Sequence, residues 1–104
     1  MRRRVFLLVL NLFSLGGYAV TISGLVTDEV NHPLPYANVY LKGTTQGATT
    51  NAEGQYSISL QPGNYQLVFS YVGYLQVIKN VTVENVPVQL NVQLQPERIE
   101  LKEV

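Results

Sequence analysis

TNAEGQYSISLQPGNY, residues 50–65, sets one short alternating run between two turn signals. Tyr56, Ile58 and Leu60 fall on one side of an extended chain and Ser57, Ser59 and Gln61 on the other, because successive strand side chains point to opposite faces. That is the pattern of a half-buried strand. Before it, Asn51 and Gly54 bracket a four-residue turn, asparagine capping the turn and glycine accepting positive φ without a side-chain clash. After it, Pro62-Gly63 offers the preset φ and the positive φ wanted at the centre of a type II turn. The stretch is punctuation around a strand.

The same period of two continues outward in both directions. Val20, Ile22, Gly24 and Val26 alternate with Thr21, Ser23, Leu25 and Thr27, and Ala37, Val39 and Leu41 alternate with Asn38, Tyr40 and Lys42. Between them Asp28–Tyr36 reads as a loop, since Pro33 and Pro35 cannot donate to a sheet ladder. GTTQG, residues 43–47, is a turn, followed by a short pairing segment through Ala48, Thr49 and Thr50. Beyond Gly63, Tyr65, Leu67, Phe69 and Tyr71 share a face, and Val68 and Val72 make the opposite face partly apolar, which predicts a strand that is central in its sheet or covered on both sides. Gln76–Val83 follows, with Val77, Val81 and Val83 inward and Lys79 interrupting them. Val88, Leu90, Val92 and Leu94 against Gln89, Asn91, Gln93 and Gln95 give the cleanest alternation of all. Seven short strands with turns between them predict an all-β, antiparallel sandwich of two sheets.

The ends differ from this body. Arg2, Arg3 and Arg4 precede an apolar run from Val5 to Leu15, and Gly17 and Ala19 stand before a cleavage point, the arrangement of a secretory signal peptide over residues 1–19. The apolar run is shorter than the about 20 residues a membrane helix needs. Processing leaves 85 of the 104 residues, with four cations against seven carboxylates, a net charge of −3. No basic stripe remains for nucleic acid. The chain has no cysteine, so no disulfide staples the domain and no N-terminal cysteine can carry a lipid.

Chemistry-bearing residues are few. His32 lies near Asp28 and Glu29, but one imidazole and two loop carboxylates make neither a metal site nor a hydrolytic centre. Asn51 and Glu53 supply too few carboxylates for a calcium loop, and KGTTQG lacks the Gly-Lys-Ser/Thr ending of a phosphate loop. No cofactor, metal or catalytic residue is expected. Among the seven tyrosines, Tyr56, Tyr65 and Tyr71 are expected in the core or at corners with their hydroxyls on backbone. Tyr40 and Tyr74 are the candidates for glycan contact.

Several short runs are specific in combination: Gly24-Leu25-Val26-Thr27-Asp28, Pro35-Tyr36-Ala37-Asn38-Val39, Gly47 with Thr49-Thr50-Asn51-Ala52-Glu53-Gly54-Gln55-Tyr56, Pro62-Gly63-Asn64-Tyr65 and Phe69-Ser70-Tyr71-Val72-Gly73-Tyr74. Through them the chain resembles the carboxypeptidase regulatory-like domain. The resemblance implies a seven-stranded Greek-key sandwich of transthyretin-like or prealbumin-like, Ig-like form, exported by Gram-negative bacteria. It also implies a non-catalytic accessory domain at the N-terminus of TonB-dependent outer-membrane receptors of the SusC type, or of related outer-membrane proteins. The expected organisation is a signal peptide at 1–19, the sandwich at 20–95, and a linker at 96–104, ERIELKEV closing it, that leads to a further domain. The expected location is the periplasm or outer membrane. The expected partners are that downstream domain or envelope proteins, met through a face bearing Val68 and Val72. The alternative is a carbohydrate-binding module using Tyr40 and Tyr74.

Overall fold

The computed structural model describes residues 18–98, and every regular element among them is a strand. The expected signal peptide lies almost wholly outside the described residues, as do residues 99–104 of the expected linker. The strands are β1 (Val20–Thr27), β2 (Asn38–Leu41), β3 (Gly47–Thr49), β4 (Gln55–Leu60), β5 (Gly63–Ser70), β6 (Val77–Val83), β7 (Val88–Gln89) and β8 (Val92–Gln93). One sheet has the order β4-β1-β7, with β8 also on β1; the other has the order β3-β2-β5-β6.

Alternation decides which side chains meet between the sheets. Val20, Ile22 and Val26 of β1, with Tyr56, Ile58 and Leu60 of β4, face Val39 and Leu41 of β2, Leu67 and Phe69 of β5, and Val81 and Val83 of β6. Leu34 and Ala37, in the connection from β1 to β2, close one end of this core. Tyr56 joins the layers: its ring meets Phe69 of the opposite sheet edge-on at 5.4 Å. Aromatic pairs favour that geometry.

The last strand differs from the expectation in direction and continuity. It lies parallel to β1, not antiparallel, and appears as two segments, so eight segments stand where seven strands were expected. Ile22 pairs with Val88 and Ser23 with Gln89, then Val26 with Val92 and Thr27 with Gln93. The offset is the same on both sides of the gap, so the register does not slip. At the gap the Leu90 carbonyl leans over Gly24, where a Cβ would lie 2.0 Å from its oxygen. The Tyr56 hydroxyl donates to that carbonyl at 2.6 Å, reaching it across the Gly24 position. The Asn91 side chain replaces the lost ladder acceptor, taking the Leu25 N–H at 2.9 Å on Oδ1.

Lys79 finds an explanation in the sheet order. It pairs across from Leu67, which is fully buried, yet Lys79 itself is exposed, because β6 is the edge of its sheet. An inward-directed lysine on an edge strand blunts pairing with other chains.

Candidate functional site

The connections gather at the end of the sandwich where β1 stops and β2 starts. Thr27 bridges Pro33, and the loop between them is organised by Asp28. The Asp28 carboxylate accepts the N–H groups of Val30 at 2.9 Å and His32 at 2.8 Å, and lies 3.6 Å from the His32 ring. Partial burial pushes its pKa up, but these donors outweigh that and hold it below the ordinary carboxylate value. His32 is an exposed loop residue on a carboxylate already engaged by backbone. Among the described residues, no three His, Cys, Asp or Glu side chains gather where they could hold a metal ion.

Behind this loop stands Thr50, 2% exposed, which clamps the arch Leu34–Ala37 with four hydrogen bonds. Its hydroxyl donates to Leu34 O and accepts the Ala37 N–H, both at 2.7 Å. Its own N–H donates to Ala37 O at 2.9 Å, and its carbonyl accepts the Tyr36 N–H at 3.0 Å. The arch forces Tyr36 to φ 63°, while its side chain stays 68% exposed. A bulky L-residue pays about 1–2 kcal/mol for that left-handed conformation. Such strain persists only where the surroundings over-determine the backbone.

The neighbouring turn belongs to Asn51. Its side-chain oxygen accepts the N–H groups of Glu53 and Gln55, each at 2.9 Å, and its carbonyl accepts the Gly54 N–H. Gly54 sits at φ 78°, where a Cβ would lie 2.8 Å from Val26 O. The oxygens are spent on the turn, as the alternating sequence around it implied.

A third connection, Tyr71–Gln76, completes this end. The Tyr71 and Tyr74 rings meet at 5.6 Å, and Tyr74 bridges Pro96. Partial burial, then the charges of Glu29 and Asp28, push the Tyr74 hydroxyl up from its usual pKa. Leu75 N–H donates to Gln95 O and Glu97 N–H to Gly73 O, each at 2.8 Å, so the chain leaves the sandwich alongside Gly73.

The residues singled out from the sequence do not form one site. Val68 is 1% exposed, flanked across the strands by Tyr40 and Ile78 on the outer face of its sheet. Val72 lies beyond the end of β5 in the Tyr71–Gln76 turn and is 93% exposed. The two were expected on one face because strand parity was extended past Ser70, where the strand ends. Tyr40 is partly exposed in the middle of β2, whereas Tyr74 packs on Tyr71 at the end of the sandwich. The Tyr56 and Tyr65 hydroxyls donate to backbone, at Leu90 O and Gln61 O. Sequence reasoning missed Tyr36 and Thr50. Pro33 and Pro35 mark the stretch as a loop, but nothing beside them in the sequence specifies a positive φ at Tyr36 or a partner at Thr50.

A profile of the CarboxypepD_reg-like domain matches residues 22–104. The chain belongs to that family. Within it, TonB-dependent receptor P26 of Formosa agariphila is 47% identical over 66 residues, covering 64% of this chain and 6% of the receptor. TonB-dependent receptor SusC of Bacteroides thetaiotaomicron is 38% identical over 55 residues, 53% of this chain and 5% of the receptor. Carboxypeptidase Z of Gallus gallus is 36% identical over 62 residues, 60% of this chain and 10% of the relative. The CarboxypepD_reg-like domain thus matches a tenth or less of each relative's length. Among solved structures, the major pilin subunit BcpA of Bacillus cereus superposes with a TM-score of 0.64 at 16% identity, over 77% of this chain and 30% of the pilin. At that identity the likeness is one of fold.

Proposed function

We propose that this CarboxypepD_reg-like domain is a non-catalytic accessory and spacer module, exported to the envelope of a Gram-negative bacterium and carried at the N-terminus of an outer-membrane receptor. The observation that carries the reading is the path of the chain. Val20 opens β1 beside Leu60 at one end of the sandwich, and Glu97 leaves beside Gly73 at the other. With residues 1–19 removed, the Val20 end is free, and the sandwich projects by its own length from the segment that continues beyond Glu97. The match to a short part of two TonB-dependent receptors supports the same context.

Reading the gene beyond codon 104 and fractionating the product tests it. The expected result is an outer-membrane polypeptide that carries the sandwich, with residues 20–95 removable without loss of membrane insertion. A stop codon directly after Val104, with the processed chain free in the periplasm, overturns it. Saturable binding to a polysaccharide that Tyr40→Ala abolishes would put a carbohydrate-binding module in its place.

A further inference from the structure

We propose that the end of the sandwich bearing Tyr36 and Val72 is a preorganised docking surface for the folded domain that comes next in the same polypeptide, with Tyr36 as its aromatic anchor. The inference rests on the accessory reading and adds a contact surface to it.

The first support is Tyr36 itself. A ring held in a left-handed backbone conformation and left 68% exposed gains little from its own fold, and glycine would occupy the same arch with less strain. Thr50 nevertheless fixes the arch from four sides, so the ring is presented with its backbone already ordered. Tyrosines of that kind make strong interface anchors, because little freedom is left to lose on contact.

The second support is what stands next to it. Asn38 pairs with Ser70, so Tyr36, two residues before Asn38, and Val72, two residues after Ser70, emerge at the same end of the β2–β5 pair. Val30 and Leu75, on the adjoining connections, are 59% and 51% exposed. Asp28 and Glu29 open the connection that follows β1 at this same end, Glu29 being exposed. Exposed apolar side chains and carboxylates thus come from the connections at one end of the sandwich, the residue types that contacts between folded domains combine.

The third support names the occupant. Glu97 is hydrogen-bonded to Gly73, the residue after Val72, and the chain continues from Arg98 at that point. A domain tethered there meets the surface at high effective concentration, so even a modest patch is occupied. A second copy of the chain, or a free glycan, has no such advantage.

The experiment measures amide exchange of the Tyr71–Leu75 turn in the full natural polypeptide and in the processed chain ending at Val104. The expected result is exchange slower by about tenfold or more in the full polypeptide, lost in its Tyr36→Gly and Val72→Asp variants. Tyr36→Gly should at the same time raise the melting temperature of the processed chain, a split that a purely structural role for the ring does not produce. Val72→Asp changes a fully exposed side chain and supplies the undocked state should the processed chain not fold alone. Equal exchange in an intact outer-membrane polypeptide with and without the substitutions overturns the docking surface and leaves the accessory reading standing. A product with no further domain after the sandwich overturns both. Protection that appears in the processed chain only as its concentration rises assigns the surface to self-association and overturns the tethered contact.

Discussion

Tyr56 is the residue on which most of the fold converges, since it pairs with Gly24, stacks on Phe69 and donates to the Leu90 carbonyl. Replacing it with phenylalanine leaves that carbonyl without its donor and should cost about 1–2 kcal/mol in urea denaturation. Burial raises the Tyr56 hydroxyl to about 12. The folded state therefore holds this proton more tightly than the unfolded state, whose tyrosines titrate near 10. The contribution is complete below pH 10 and is lost as pH rises through about 12. Urea midpoints measured across that range should fall more steeply for the native protein than for Tyr56→Phe; equal slopes would show that the hydroxyl is hydrated. Gly24 tests the same row from its other side. A methyl group 2.0 Å from Leu90 O forces the last strand outward, so Gly24→Ala should destabilise by about 1–3 kcal/mol or more. Tyr36→Gly carries the opposite sign. Relief of the left-handed strain, about 1–2 kcal/mol, exceeds the entropy glycine loses on folding, leaving a gain of roughly 0.5–1 kcal/mol.

Elements follow from the sequence to different depths. The faces of β1, β2, β4 and β5 were legible because a period of two states which side chains share a side, and Ile22, Val39, Ile58 and Leu67 are buried as that period requires. A period does not state which strand lies alongside, or in which direction. The perfect alternation of Val88–Leu94 therefore gave no sign that its chain runs parallel to β1 or that it breaks where Leu90 crosses Gly24. Val68 shows the same limit, since an apolar residue on an outer face is covered or bare according to its cross-strand neighbours. Tyr36 was illegible for another reason: its φ is imposed by Thr50, fourteen residues away, and no local pattern encodes that clamp. Lys79 looked like an interruption and becomes intelligible only once β6 is known to be an edge. Lys79→Val would make the apolar face of that edge continuous from Val77 to Val83. Melting should change little, while light scattering of concentrated protein should grow with time as edges pair; Lys79→Glu, which keeps a charge there, should stay clear.

For the whole molecule, the decisive property is that the first and last strands run the same way. β1 begins at Val20 beside Leu60, the last strand pairs with it in parallel from Val88 to Gln93, and the chain departs beside Gly73. Had the final strand been antiparallel to β1, as the sequence pattern alone favoured, the chain would leave from the end where β1 begins, and the end bearing Tyr36 and Gly73 would point away from the attachment. The parallel arrangement makes it a strut. Eight residues of β1 at about 3.3 Å each set its length at roughly 25 Å, and the two sheets packed across Tyr56 and Phe69 resist bending. The absence of natural cysteine makes this measurable, because Thr21→Cys and Gln95→Cys can be labelled without competition. Both sites are exposed. Dipolar spectroscopy on the doubly spin-labelled processed chain should give one narrow distribution on the order of 25–35 Å once label linkers are included. A distribution centred well below 20 Å would mean that the last strand returns toward Val20, and the strut would be lost along with the separation of its ends.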